Sequence, residues 1–392
     1  MSEIKVNSIK GVAATTAALT INNTDGTCTA NLTNRTNKNL IINGAMQVAQ
    51  RGTSSTATTG GYYTVDRFTY SIGGHDEAAT HAQVDVASGT SPYQSGFRKA
   101  YKITNGNQTS GAGSSDYIQI NYYVEAQDIA NSGWDVTNSS SNLTFSFWIK
   151  SSVSQFFTFA IRCKDGTEQV INFKTPVLSA DTWTKVTKTI PGNSNLTVNN
   201  DNGQGFQIMF FPFIGTDYST VGLAEDTWSA WASAKHALPN TSTWWTTNDA
   251  TWEITGVQLE VSDHATDFEH RSFAVEKRLC QRYYEQYDHN DTYWLCSGVY
   301  NASTEAIFPF DYQAEKRTAP TITMQDSVNT ILMRPNTSNA QGGTLSALNI
   351  KTRKCAFKST SNPSSSSGGY ATTMSIYNSG SGSTVLSIDS EL

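Results

Sequence analysis

From residue 39 onward the chain reads as short stretches in which apolar and polar residues alternate, separated by clusters of Gly, Ser and Asn. LTFSFWIKS (143–151) shows it most cleanly. Leu143, Phe145, Phe147 and Ile149 fall on one side, Thr144, Ser146, Trp148 and Lys150 on the other, the period of two that marks a half-buried strand. QFFTFAIRC (155–163), QVINFKT (169–175), TWTKVTKTI (182–190) and TWEITGVQLEV (251–261) repeat the theme. FQIMFFPFIG (206–215) is apolar on both sides, which predicts a central strand covered on both faces. Strands at this spacing, joined by turn residues, predict an all-β fold: an antiparallel sandwich over residues 39–272.

One stretch breaks the pattern. In SFAVEKRLCQRYYEQY (272–287), Val275, Leu279, Tyr283 and Tyr287 recur at helical spacing behind Ser272, a good N-cap. A short amphipathic helix and linker over 273–290 is the expectation, followed by a smaller β domain over 291–392. NPSSSSGG (362–369) there reads as an exposed hairpin tip. Residues 1–38 contain no aromatic and only brief alternations, such as Ile4 and Val6 or Ile9 and Val12. Such a segment needs a partner surface to cover it, or remains a loose tail.

Composition narrows the functional classes. Charged residues make up 15% of the 392-residue chain and the net charge is −6. Lys and Arg are scattered, so nothing tracks a phosphate backbone and nucleic-acid binding is not expected. No run of apolar residues is long enough to span a bilayer. The first 25 or so residues hold no apolar h-region of a secretory signal. The five cysteines, Cys28, Cys163, Cys280, Cys296 and Cys355, are isolated and odd in number. They suggest small buried hydrophobes in a reducing compartment, not a disulfide framework or a zinc site.

NLIINGAMQVAQRGT (39–53) and GYYTVDRF (61–68), then LTFSFWIKS, WEITGVQLEV (252–261), ATDFEHRS (265–272) and CQRYYEQY (280–287), resemble in order and spacing a phage tail-fibre and virion-appendage family. FPFDYQAEKRTAPTIT (308–323) and the terminal LSIDSEL (386–392) resemble the tail that follows. The resemblance implies a jelly-roll domain similar to carbohydrate-binding modules, and a virion location after folding in the host cytoplasm. It also implies a homotrimer mounted on a tail or capsid protein through residues 1–38, and adhesion to a host surface receptor such as a glycan. A capsid-mounted fibre of mainly structural role and a capsule depolymerase are the alternatives.

The landmarks have plain physical readings too. Asn43-Gly44 is a turn, Asp66 and Arg67 suggest an ion pair at the sheet edge, and Tyr283 suggests a ring packed on the sandwich. Phe268 is expected to point inward beside Glu269, His270 and Arg271. These read as scaffold.

Motifs that carry catalytic or metal chemistry are few. NSGSGSTV (378–385) lacks the helix that a nucleophile elbow requires. DHATDFEH (263–270) gathers acids and histidines on a loop, and DHND (288–291) is a linker at which calcium is conceivable, but neither has metal-ligand spacing. No catalytic residue, metal or cofactor is therefore assigned. Binding is the better expectation, because flat aromatic faces stack on sugar C–H surfaces while amides and hydroxyls read the hydroxyls. The candidates are Trp148, on the polar side of its strand, and Trp231, Trp244 and Trp245 in TWSAWASAKHALPNTSTWWTTNDATW (227–252). Trp244 and Trp245, set among Ser, Thr and Asn, are expected to be exposed, facing a ligand or a neighbouring subunit. In the C-terminal domain Tyr312 and Tyr370 are the aromatics to watch.

Overall fold

A computed structural model describes residues 6–9, 19–21, 24, 28–30, 37–219, 222–288, 294–302, 305–324, 331–335, 340–341, 344–360, 371–376 and 384–392. The hairpin tip 362–369, Tyr370 and most of DHND lie outside the described residues, as does most of the 1–38 segment. Within that segment β1 (Ser8–Ile9), β2 (Leu19–Ile21) and β3 (Cys28–Ala30) pair as an antiparallel meander.

The body contains β4 (Ser54–Ser55), β5 (Phe68–Gly73), β6 (Thr80–Asp85), α1 (Ser91–Gln94), β7 (Lys99–Thr104), β8 (Tyr117–Glu125) and α2 (Ala126–Ala130). It continues through β9 (Asn142–Ser151), β10 (Thr158–Cys163), β11 (Gln169–Lys174), β12 (Thr184–Pro191), β13 (Gln204–Ile214), β14 (Trp228–Ala230), α3 (Thr243–Thr246) and β15 (Thr251–Val261). These strands form two antiparallel sheets, ordered β14-β11-β10-β13-β8-β5 and β12-β9-β15-β7-β6-β4. The alternation seen in the sequence supplies the glue: Leu143, Phe145, Phe147 and Ile149 of β9 meet Phe159, Phe173, Phe206 and Phe210 of the facing sheet in one core. β13 lies inside its sheet and is buried along almost its whole length, as its two-sided apolar sequence requires. The architecture is an antiparallel jelly-roll sandwich.

α4 (Phe273–Gln281) follows, with the Ser272 hydroxyl accepting from the Val275 amide at 3.4 Å. It is shorter than the spacing predicts. Tyr284–Asp288 is a strand, β16, because YYEQY also alternates and the last strand of the chain pairs with it. The inward face of α4 is set by Cys280 and by Glu276, whose carboxylate accepts from the Asn43 amide, while Val275 is exposed.

The remaining strands are β17 (Trp294–Ala302), β18 (Glu305–Asp311), β19 (Thr321–Met324), β20 (Ile331–Pro335), β21 (Ala340–Gln341), β22 (Thr344–Leu348), β23 (Lys354–Thr360), β24 (Ala371–Ile376) and β25 (Thr384–Asp389). They build a sheet ordered β21-β20-β24-β17-β18-β23-β22 and a smaller one, β16-β25-β19. Tyr300, Phe308, Phe310, Tyr312 and Phe357 pack between them. Tyr312 is therefore a core residue and not a surface aromatic.

LSIDSEL is the clasp that joins this part to the body. Ser390 bonds the Tyr283 carbonyl through its amide at 2.7 Å, and Arg317 donates to the carbonyls of Ser390 and Glu391, each at 2.9 Å. Glu391 receives Arg67, a fully buried guanidinium that also lies 3.4 Å above the Tyr283 ring and donates to the Tyr123 carbonyl. Arg51 bridges Asp389 and Glu391 at 3.0 and 3.3 Å. Arg67 thus pairs with the far end of the chain and not with Asp66, whose carboxylate is taken up by the Gln50 amide and side chain. Sequence adjacency misled here because neighbouring side chains need not converge: Asp66 turns to Gln50 and Arg67 to Glu391.

Among the described residues no helix is long and apolar enough to cross a membrane.

Candidate functional site

Because Phe147 and Ile149 point into the core, Trp148 between them must stand on the solvent face of its sheet. Register then chooses its neighbours: Lys185 of β12 on one side and Thr255 of β15 on the other. Beyond Thr255 the ladder is interrupted by a bulge at Gly256–Val257. Gly256 has φ +64, and a Cβ there would lie 2.6 Å from the Phe97 ring, so only glycine lets the ring settle on the strand. Gly44 serves the other side of the bulge, since a Cβ would collide with the Val257 carbonyl oxygen while the Gly44 carbonyl accepts from the Val257 amide at 2.9 Å.

These features shape a cleft of about 420 Å³, within the roughly 300–1,000 Å³ range of ligand pockets. Ser146, Trp148 and Gly256 form its floor; Gln94, Ser95, Gly96 and Phe97 make one wall, Thr266, Asp267, Phe268 and His270 the other, and Lys185 stands at the rim. Phe97 and Phe268 meet edge to face at 4.8 Å, and each also touches the His270 ring. His270 Nε2 lies 2.8 Å from the Ser95 carbonyl, which can only accept, so Nε2 is the donor in that contact. Trp148 is half-buried and Lys185 exposed. Trp183, also half-buried, precedes β12 and packs on the same small cluster around Phe97.

The FEHRS motif divides its labour. Glu269 accepts from the Asn37 and Asn39 amides at 2.5 and 2.8 Å, and Arg271 donates to the Asn39 and Ile41 carbonyls. These two residues clamp the chain where it enters the sandwich. Phe268 and His270, the alternate positions, face the cleft. Phe268 is half-buried there, packed inward on the small cluster around Phe97 while its outer edge lines the cleft.

The four candidate tryptophans do not converge. Trp148 lines the cleft. Trp231 lies on the opposite sheet, half-buried beneath the Arg162 guanidinium at 3.6 Å. Trp244 and Trp245, expected to be exposed, are fully buried in the main core. Their indole N–H groups donate to the carbonyls of Thr251 at 3.0 Å and Gly111 at 2.8 Å. Asn105 holds the α3 turn by donating to the Trp245 carbonyl at 2.6 Å. They present no face to a ligand. The polar residues around them misled because one helical turn hides both rings while leaving Thr243, Thr246 and Thr247 outside. Lys185, Phe97, Phe268 and His270 were missed because only the register of β12 against β9 and the fold of the 262–271 segment bring them beside Trp148.

The acids of DHATDFEH diverge. Asp263 pairs with exposed His264 at 2.6 Å, while Glu269 and His270 turn to different backbones. Among the described residues no three His, Cys, Asp or Glu side chains are placed to hold a metal.

No family model matches the chain, and no curated protein matches it. Among solved structures it is similar to the enzymatically active domain of bacteriophage CBA120 tailspike protein 4, at 11% identity and TM-score 0.28, over 57% of this chain and 21% of that one. The N-terminal cellulose-binding domain of Cellulomonas fimi β-1,4-glucanase C is similar at 10% identity and TM-score 0.27, over 56% of this chain and all of that domain. The CBM22-1–GH10 modules of Clostridium thermocellum xylanase 10B, complexed with xylohexaose, are similar at 10% identity and TM-score 0.25, over 55% of this chain and 29% of that one. The chain thus spans about a fifth of the tailspike that it matches.

Proposed function

We propose that this chain is the adhesive subunit of a virion fibre and that it holds a surface glycan in the Trp148 cleft. The observation that carries the proposal is a tryptophan standing on the solvent face of a sheet, at the bottom of a cleft walled by Gln94, Asp267 and His270 and rimmed by Lys185. An indole face with polar groups around it matches a sugar ring, which is apolar on its C–H side and polar at its edge. Adhesion without turnover fits the same surface. Glycoside hydrolysis needs two carboxyl groups across a cleft, and Asp267 is the one carboxylate among the lining residues. The neighbouring acids are engaged: Glu253 with Lys150 at 3.1 Å, and Glu260 with Thr266 at 2.5 and 2.9 Å. The fibre role, a trimeric state and mounting on a tail or capsid through residues 1–38 rest on the ordered motifs of the sequence.

The test is binding of the full chain to polysaccharide purified from candidate host cells, with reducing-end release followed alongside. Trp148→Ala is expected to weaken binding by about tenfold or more, the factor that 1.4 kcal/mol represents, with thermal stability nearly unchanged. Equal binding by the variant refutes the site, and release of reducing ends refutes adhesion without turnover.

A further inference from the structure

The outer face of the sheet opposite Trp148, β14-β11-β10-β13-β8-β5, carries its own aromatic band, and it shares no residue with the Trp148 cleft. Tyr123, Gln207 and Arg162 stand side by side across β8, β13 and β10. Arg162 covers the Trp231 ring and is held by Glu168. From Trp231 the ring contacts run to His236 at 4.3 Å, on to Tyr218 at 5.5 Å, and then to Tyr117 at 5.6 Å. Arg162 occupies the face of Trp231, so the tryptophan acts as a buttress. The band ends in a pocket of about 170 Å³ lined by Ser71, Tyr117, Gln119, Ile214, Tyr218 and His236.

The lining specifies a ligand chemistry. Gln119 gives an N–H to the Asn121 side-chain oxygen, which leaves its own carbonyl oxygen to accept. His236 Nδ1 lies 2.6 Å from the Ser233 carbonyl, so the ring proton sits on Nδ1 and Nε2 is an acceptor. Burial lowers the pKa of the imidazole; the hydrogen bond to the Ser233 carbonyl opposes the shift and the nearby Arg162 charge adds to it, which together favour the uncharged ring. The lining includes no carboxylate, lysine or arginine. Two phenol rings and Ile214 give apolar walls; Ser71, Gln119, His236 and the phenol hydroxyls give uncharged donors and acceptors. At about 170 Å³ the pocket lies below the roughly 300–1,000 Å³ range of drug-sized ligand sites, a size that suits one unit of a ligand.

We propose that this pocket is a second saccharide site, one that takes a single neutral sugar unit. An amphipathic sugar ring matches a wall of two tyrosine rings, themselves edge to face at 5.6 Å, backed by uncharged hydrogen-bonding groups, whereas an acidic sugar would find no cation in the lining. The site is independent of the Trp148 cleft and stands whether or not that cleft binds glycan.

Saturation-transfer NMR on the full chain tests it. The probes are the methyl glycosides of glucose, galactose and mannose, then N-acetylglucosamine, with glucuronate as the anionic contrast. At least one neutral sugar is expected to receive saturation, and glucuronate none. The signal should persist in Trp148→Ala, where the cleft no longer contributes, and in that background Tyr218→Ala should weaken the affinity about tenfold, a loss equivalent to 1.4 kcal/mol. Gln119→Ala supplies the same test if the tyrosine variant fails to fold. No transfer from any of the neutral sugars overturns the proposal, as does transfer from glucuronate equal to theirs. So does a signal unchanged in both variants, or one lost in Trp148→Ala. A change of oligomeric mass in Tyr218→Ala, by light scattering, would make the face a subunit interface and also overturn it.

Discussion

Replacing Glu391 with Gln removes the counter-charge of a fully buried guanidinium at the clasp. Arg67 has no exposed side-chain surface, and Glu391 is 5% exposed. Removing one partner of a buried pair costs about 3–5 kcal/mol, since the remaining charge stays desolvated. Arg67 keeps the Tyr123 carbonyl at 2.8 Å and the Tyr283 ring at 3.4 Å, which places the expected loss near the lower end. Arg51, the other partner of Glu391, still has Asp389. With each kcal/mol worth about 2–4 °C for a body of this size, a loss of about 3 kcal/mol lowers the midpoint by about 6–12 °C. Thermal unfolding followed by tryptophan fluorescence reads this directly. Asp389→Asn is the internal control: Asp389 is 42% exposed, and an exposed pair is worth at most about 1 kcal/mol. If Glu391→Gln shifts the midpoint no further than Asp389→Asn does, the clasp is not an ionic lock. Arg67→Met combined with Glu391→Leu should recover most of the loss, because the desolvated charge is then gone.

Trp245→Ala should destabilise the chain by about 3–5 kcal/mol through the cavity it leaves, while glycan affinity, measured by titration well below the melting temperature, stays at the parent value. Gly256→Ala places a methyl 2.6 Å from Phe97 at a left-handed backbone position; a loss of about 1–3 kcal/mol together with weaker polysaccharide binding is expected, and unchanged binding would separate Phe97 from the cleft. His81 is buried and stacked on Tyr70 at 4.2 Å, and burial lowers its pKa from 6.5 to about 4. Its contribution, about 3 kcal/mol at 1.36 kcal/mol per unit, is present above pH 6.5 and lost as pH falls toward 4. In denaturant titrations His81→Gln should flatten that drop. Asp66, raised by burial from 3.8 to about 6, acts in reverse: its contribution is full below pH 3.8 and is lost as pH rises through 6. Asp66→Asn should therefore steepen the acid-side drop.

The local readings came from the period of two and from turn chemistry, which act over neighbours that the sequence displays. Leu143, Phe145, Phe147 and Ile149 announce both a strand and its inward side, and hence that Trp148 faces solvent. The two-sided apolar β13 announces its central place. Ser272 announces the start of α4, but the same run of residues also carries a strand alternation, and β25, about one hundred residues away, decides in favour of β16. The buried state of Trp244 and Trp245 had no local signal, since a single helical turn can hide two rings beneath polar neighbours.

By itself the sequence determined the class of fold, the inward and outward sides of its strands, and one aromatic on the solvent face. Tertiary structure decided what stood beside that aromatic and what held the molecule shut. The register of β12 against β9 brought Lys185 to Trp148, the return of residues 262–271 brought Phe268 and His270, and the last residues reached back to Arg67. Each of these is a pairing between distant segments, fixed by which partner buries surface or neutralises charge. Alternation along one strand carries no information about that choice.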